Sequence, residues 1–129
     1  MNKILITRKV PQPFVKQLER IGNVVMWDKE LTPMPREAFV EEIKDATACL
    51  STLSERIDEE VLKEASNLKV IANMAVGYDN IDVNKASQYG ITVTNTPHVL
   101  TETTAELGFT LMLTVAVSYT HLRAHETVL

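Results

Sequence analysis

The chain has 129 residues, of which 45% are apolar and 23% charged, and its formal net charge is −4 at pH 7. These values are typical of one globular domain with a real core, and they exclude a disordered or fibrous chain and a second complete domain. The negative charge, with no basic run to neutralise phosphates, argues against nucleic acid as a partner.

Strand and helix patterns alternate along the first 95 residues of the chain. Short apolar runs predict strands, and amphipathic stretches between them predict helices. The strands are predicted at residues 4–7, 23–27, 46–51, 68–74 and 91–95. The inward-facing helix residues are predicted to be Phe14, Val15, Leu18, Ile21, Phe39, Val40, Ile43, Val61, Leu62 and Ala65.

Start and stop signals support the predicted helices. Pro13 suits a first helical turn, and Asp58 and Asp82 are suitable N-cap residues. Gly22 and Gly90 follow the last periodic residues of two helices and are suited to end them as C′ residues. Five strand-helix alternations predict an α/β fold, a flavodoxin-like doubly wound five-stranded parallel sheet with strand order 2-1-3-4-5.

Cys49 is the sole cysteine, so no internal disulfide can form and a reducing compartment is expected. It lies in an apolar predicted strand, which favours a buried structural thiol over a nucleophile. The first residues lack the apolar core of a signal peptide, and residues 107–116 are too few to span a bilayer. We therefore expect a cytoplasmic chain with no membrane partner.

The loop after the fourth predicted strand is the main candidate site. Residues 70–74 have the unbroken apolar character of a strand buried on both faces, so the loop is expected at the carboxyl edge of a parallel sheet, where ligands bind. Gly77 allows the backbone to take a positive φ and leaves its N–H groups open to close approach by an anion. The alternative is that Gly77 only makes a tight strand-to-helix turn.

The pattern changes after residue 95. Residues 96–98 interrupt it, and Thr101 is a candidate cap for a helix over residues 102–116 that is apolar on nearly every side. Such a helix is expected to lie between two bodies, of which only one is encoded, so we expect the chain to stop early. The predicted organisation is one domain over residues 1–95, a hinge and linking helix over 96–116, and a tail over 117–129.

The tail abandons the preceding pattern. Its back-translation resembles, in frame from Val117 into Thr127, the transposase adaptor ligated to fragments in sequencing libraries, so we interpret residues 117–129 as non-native. The competing interpretation is a helical metal pair formed by His121 and His125, which are four residues apart but have no recognisable third ligand.

Three ordered motifs, at residues 73–82, 95–97 and 101–107, resemble those of the D-isomer-specific 2-hydroxyacid dehydrogenases. The resemblance covers residues 3–116 and is strongest to the glyoxylate/hydroxypyruvate reductase (D-glycerate dehydrogenase) branch. It implies that residues 1–95 are the N-terminal portion of a substrate domain. The helix that follows is then the first linking helix towards an NAD(P)-binding domain.

The resemblance also implies roles for individual residues. Val76 and Gly77 correspond to residues whose backbone N–H groups hold the substrate carboxylate, and Val76 also lies near the nicotinamide. Leu53 and Ser54 correspond to the other side of that pocket. Thr104 corresponds to a threonine that contacts the cofactor near the nicotinamide. Without the family, Ser54 is only a turn residue and Thr104 only a surface residue of a helix.

The family's catalytic histidine, arginine and glutamate lie further along, so His98 is interpreted as a hinge residue and not as a catalytic one. The four glycines cannot form the G-x-G-x-x-G turn. A carboxylate aimed at an anionic 2-oxo acid would repel it, so Asp79, Asn80 and Asp82 are interpreted as helix-capping residues. The implied parent is a homodimer that reduces glyoxylate or hydroxypyruvate with NAD or NADP as cofactor, and the 129-residue chain alone is expected to be inactive.

Other functions share this fold class. A signalling receiver needs acidic residues after the first strand and an aspartate after the third, but those places hold Thr-Arg-Lys at residues 7–9 and Ser-Thr at residues 51–52. A flavin carrier needs a phosphate loop, but residues 10–13 include two prolines, which lack N–H donors. A non-catalytic module that holds a carboxylate on the Gly77 loop stays open as the alternative.

Overall fold

The computed structural model describes residues 1–117, and the tail predictions after Val117 lie outside this part of the chain. Strands and helices alternate as predicted, with bounds within about two residues of those expected. The elements are β1 (Lys3–Ile6), α1 (Gln12–Glu19), β2 (Asn23–Met26), α2 (Arg36–Ile43), β3 (Ala48–Ser51), α3 (Glu59–Glu64), β4 (Val70–Asn73), α4 (Val83–Gln88), β5 (Thr92–Thr94) and α5 (Thr101–Ala116).

The five strands form one parallel sheet in the order β2-β1-β3-β4-β5, which confirms the predicted doubly wound architecture. From β1 to β2 the chain crosses the sheet in one direction, and from β2 to β5 it crosses the sheet in the opposite direction. Right-handed crossovers therefore place α1 on one face of the sheet and α2, α3 and α4 on the other. The carboxyl ends of all the strands meet at one edge.

The larger core lies between the sheet and the three helices α2, α3 and α4. Their side chains pack on the central strands, where Leu5 and Ile71 are fully buried. Asp58 and Asp82 cap α3 and α4 as predicted, because each carboxylate accepts a hydrogen bond from a backbone N–H in the first turn. Cys49 is also buried in this core, as predicted.

The opposite face of the sheet is covered less completely than the sequence predicts. Of the four apolar residues predicted to face inward from α1, only Val15 is buried, whereas Phe14 and Ile21 are 58% and 67% exposed. Val70 and Ala72 of β4, which point to this side, are half-buried, so the prediction that β4 is buried on both faces is wrong. Helix α1 packs on this face through Val15 and Leu18.

Two glycines end helices in different ways. Gly90 follows α4 with a φ of 71°, the left-handed conformation that the prediction requires. Gly22 is not left-handed, although its N–H donates to Leu18 O after α1. Its constraint is instead close approach, because a Cβ at this position would lie 2.6 Å from Asn2 O at the start of β1.

Helix α5 belongs to a second compact unit that begins at His98, after a first unit of residues 1–97. Thr101 is its first residue and makes no side-chain cap, so the predicted capping role is wrong. None of its residues is buried, and apolar side chains such as Phe109 and Met112 are more than half exposed. No helix in residues 1–117 has the length and apolar character needed to cross a bilayer.

Candidate functional site

Buried polar side chains gather at the carboxyl edge of the sheet. Thr7, Ser51, Glu55 and Asn73 are the polar residues buried in the described core, and they lie at or just after the ends of β1, β3 and β4. Burying a polar group is costly unless it is hydrogen-bonded, so such a cluster indicates a built structure. Two loops start here, at residues 52–56 after β3 and at residues 74–82 after β4.

Glu55 closes the loop after β3. Its Oε2 atom accepts hydrogen bonds from Thr7 Oγ1 at 2.7 Å, from the Thr52 N–H at 2.8 Å and from Thr52 Oγ1 at 2.9 Å. Bonds to an ionised acceptor are the strong ones, and Glu55 is only 3% exposed. This carboxylate therefore holds the loop that carries Leu53 and Ser54, whereas the Leu53 side chain remains 61% exposed at the surface.

Asn80 joins the two loops. Its Nδ2 donates to Thr52 O at 3.0 Å and to Glu55 O at 2.9 Å, and its Oδ1 accepts from Asn73 Nδ2 at 3.2 Å. Asn80 is therefore a bridge between loops and not a helix cap, which corrects the sequence prediction. Of the three candidate caps, Asp82 alone caps α4, and Asp79 makes no side-chain hydrogen bond within residues 1–117.

Three successive carbonyl groups in the loop after β4 are held by hydrogen bonds. Ala75 O accepts from the Thr96 N–H at 2.9 Å, and Val76 O accepts from Asn95 Nδ2 at 2.8 Å. Gly77 O accepts from Asn73 Nδ2 at 3.0 Å. Together with the bridge made by Asn80, these three bonds tie the loop to the loop after β3, to β4 and to the segment after β5.

The backbone N–H groups of Val76 and Gly77 have no protein acceptor within residues 1–117. Gly77 does not use the positive φ that glycine allows, because its φ lies outside the left-handed region. A Cβ built on Gly77 would meet no atom within 4 Å. Neither a strained turn nor a close protein neighbour therefore requires glycine here, and the space that a side chain would occupy is open.

Arg8 contacts the loop after β3 through Ser54. Its guanidinium donates through Nη2 to Ser54 Oγ at 2.7 Å and through Nη1 to Glu30 O at 2.8 Å. Sequence reasoning missed this contact, since nothing in the spacing relates Arg8 to Ser54, 46 residues apart. Ser54 is thus a positioned hydroxyl beside a cation, and more than a turn residue.

Thr104 lies in the first turn of α5, where its N–H donates to Leu100 O. Thr104 is exposed and belongs to the unit that begins at His98. The role implied for Thr104 near a nicotinamide stays a prediction. His98 has a φ of 64°, a left-handed conformation that is uncommon for a residue other than glycine.

Burial raises the pKa of the Cys49 thiol, and the charge of Glu55 raises it further. Because the thiolate is the reactive form, we expect Cys49 to resist alkylation at neutral and mildly basic pH in the folded chain. The rate of reaction with a chromogenic thiol reagent measures this, and the urea-unfolded chain is the reactive control. Rapid modification of the folded chain would contradict the buried, structural role.

A doubly wound parallel sheet with an open, hydrogen-bonded loop at its carboxyl edge defines the class: an open α/β domain, the fold in which ligands commonly bind beyond the strand ends. The sequence profile of the family described as D-isomer specific 2-hydroxyacid dehydrogenase, catalytic domain, matches residues 4–126. The chain belongs to this family. The match runs into the predicted non-native tail, whose interpretation stays a prediction.

Individual relatives agree with this assignment. The chain is 48% identical to a glyoxylate reductase of Pyrococcus furiosus over 114 residues, which are 88% of this chain and 34% of that protein. The D-lactate dehydrogenase of Aquifex aeolicus, solved with NAD and lactic acid, is 28% identical with a TM-score of 0.68, over 88% of this chain and 33% of that one. An NADPH-dependent glyoxylate/hydroxypyruvate reductase of Sinorhizobium meliloti, solved with NADP and malonate, is 26% identical with a TM-score of 0.65, over 88% and 34%.

The chain spans about a third of the length of the curated relatives it matches. Relatives in the family bind NAD or NADP. The 129 residues contain four glycines, none of them in a G-x-G-x-x-G turn.

Proposed function

We propose that this chain is the N-terminal part of the substrate domain of an NAD(P)-dependent reductase that converts glyoxylate or hydroxypyruvate to D-2-hydroxy acids. The observation that carries the proposal is the loop after β4. Its carbonyl groups are held by Thr96, Asn95 and Asn73, whereas the N–H groups of Val76 and Gly77 find no protein acceptor among residues 1–117.

Such a loop suits a carboxylate. Successive backbone N–H groups with fixed peptide planes form a concavity that favours anions, and hydrogen bonds to an ionised acceptor are the strong ones. The open space beside Gly77 allows the ligand oxygen to approach the backbone. Leu53 and Ser54 form the opposite wall in this proposal, and the Arg8 guanidinium bonded to Ser54 adds positive charge.

In this proposal, each role in the reaction is assigned according to the groups that the chain contains. Val76 and Gly77 bind and orient the oxo acid, Val76 and Thr104 lie near the nicotinamide, and the remaining cofactor contacts and the proton donor come from residues outside these 129. The parent enzyme is a cytoplasmic homodimer in this proposal. The 129-residue chain alone binds the oxo acid without reducing it.

An amide NMR titration of the 129-residue chain with glyoxylate tests the binding half of the proposal. We expect the largest shifts at the Val76 and Gly77 amides, because a carboxylate that accepts their protons changes their environment most. Glycolaldehyde, which has the same two-carbon skeleton without a carboxylate, is the matched control ligand. It should leave the chemical shifts of both amides unchanged. Equal shifts with the two ligands, or none with glyoxylate, would contradict the carboxylate site.

A chimera tests the enzymatic half. The matched segment of this chain replaces the corresponding 114 residues of the Pyrococcus furiosus relative, and oxidation of NADH or NADPH is followed with glyoxylate as substrate. We expect turnover by the chimera and none by the 129-residue chain. A folded chimera that binds glyoxylate without turnover would favour the non-catalytic carboxylate-binding module, and turnover by the short chain would overturn the proposed division.

A further inference from the structure

Asn95 makes a side-chain contact just beyond the end of the pairing between β4 and β5. Pairing between β4 and β5 ends with Ala72 opposite Thr94. One residue later, the half-buried side chain of Asn95 reaches across to the loop and donates from Nδ2 to Val76 O at 2.8 Å, over a separation of 19 residues. This bond joins the segment after β5 to the centre of the candidate carboxylate site.

The bond also sets the direction of a neighbouring N–H group. Val76 C=O and Gly77 N–H belong to the same peptide unit, and in a trans peptide these two groups point in opposite directions. Residues 1–117 contain no cis peptide bond. The contact from Asn95 to the carbonyl oxygen therefore holds the Gly77 N–H pointing away from Asn95, and this N–H has no protein acceptor within residues 1–117.

The flanking peptide units are held in the same way, each by a different donor. The Thr96 N–H holds Ala75 O and so directs the Val76 N–H, and Asn73 Nδ2 holds Gly77 O and so directs the Tyr78 N–H. No protein acceptor within residues 1–117 takes the Tyr78 N–H either. Hydrogen bonds to the carbonyl oxygens thus orient the N–H groups of three successive peptide units. Asn95 holds the central unit of the three.

We infer that Asn95 is a positioning residue for oxo-acid binding, which fixes the Gly77 N–H as a donor to the substrate carboxylate without touching the substrate. This inference rests on the proposed function. Without Asn95, the central peptide unit can rotate and present the Val76 carbonyl oxygen to the carboxylate, which repels it. Orienting the donor before the ligand arrives removes an ordering cost from binding.

The test replaces Asn95 with leucine, which has a similar shape, no charge and no donor. We expect the glyoxylate Kd of Asn95→Leu to rise about tenfold, the effect of losing one well-oriented bond to a charged group. The Gly77 amide resonance should also shift in the absence of ligand. Asn84→Leu, on the exposed surface of α4, is the matched control and should change neither quantity. Both Kd values are measured well below the unfolding temperature of each variant, so that a loss of stability does not alter them.

A second measurement needs no variant. A scalar coupling across the hydrogen bond between Asn95 Nδ2 and the Val76 carbonyl carbon is expected in the unchanged chain, and its absence would overturn the inference even if Asn95→Leu failed to fold. Glyoxylate binding by the unchanged chain with an equal Kd for Asn95→Leu would overturn the inference alone. No glyoxylate binding by the unchanged chain would overturn the proposed function and the inference with it.

Discussion

Replacement of Gly77 by valine is expected to weaken glyoxylate binding by at least about tenfold while the free energy of unfolding changes by no more than about 1 kcal/mol. The backbone of Gly77 is not left-handed, and a Cβ there meets no protein atom within 4 Å, so the folded chain accepts a side chain. The branched side chain would instead occupy space beside the N–H that the carboxylate needs. Calorimetric titration with glyoxylate and urea unfolding measure the two quantities.

Gly22 provides the opposite control. A Cβ at Gly22 would lie 2.6 Å from Asn2 O, so Gly22→Ala forces the backbone at the start of β1 and β2 to move. We expect it to lower the free energy of unfolding by about 2 kcal/mol and to leave glyoxylate binding by the folded chain unchanged, since Gly22 lies away from the carboxyl edge. If Gly77→Val lost stability and retained binding, the proposed role of the loop would be wrong.

Replacement of Asn73 by leucine is expected to lower the free energy of unfolding by about 3 kcal/mol. Asn73 is 2% exposed, accepts from Ser51 Oγ at 2.9 Å, and donates to Gly77 O at 3.0 Å and to Asn80 Oδ1 at 3.2 Å. Leucine fills a similar volume but leaves the buried Ser51 hydroxyl without its acceptor, and it removes the donor of two part-buried bonds, to Gly77 O and Asn80 Oδ1. Each unpaired group carries a desolvation cost in proportion to its burial. Urea unfolding monitored by circular dichroism measures the change.

Asn84→Leu on the surface of α4 is the control for that measurement and should stay within about 0.5 kcal/mol of the unchanged chain. Asn73→Asp is the informative second variant, because a carboxylate keeps the acceptor for Ser51 but cannot donate to Gly77 O while ionised. We expect it to be destabilised as well. A neutral effect of both Asn73 variants would contradict the view that buried amides hold the two loops together.

The α/β class, the strand order and two helix caps could be predicted from the sequence because their signals are local. The alternation of apolar runs with amphipathic stretches defines the elements, and right-handed crossovers leave few possible sheets. Asp58 and Asp82 act on N–H groups three residues away, so their spacing is visible in the chain. The role of Gly90 as the residue that ends α4 could be predicted for the same reason, because this glycine closely follows the helix in the sequence.

Errors arose where a residue's environment depends on distant parts of the chain. Phe14 and Ile21 have the spacing of an inward face, yet α1 packs on only part of the sheet and leaves both exposed. Gly77 permits a positive φ, and whether the loop uses it depends on contacts that the local sequence does not show; in the structure the φ of Gly77 is not left-handed. Asn80 follows the pattern of a capping residue, whereas its amide bonds to the loop after β3, more than twenty residues earlier.

The sequence by itself therefore determined the order of elements, the parallel sheet and the resemblance that points to Val76 and Gly77. Only the tertiary structure decided how the loop at those residues is held, because its partners, Asn95 and Thr96, come next to it through the pairing of β4 with β5. The contact between Arg8 and Ser54 likewise exists because β1 and β3 are neighbours in the sheet. Local periodicity specifies which strands form, and strand pairing specifies which side chains meet at their ends.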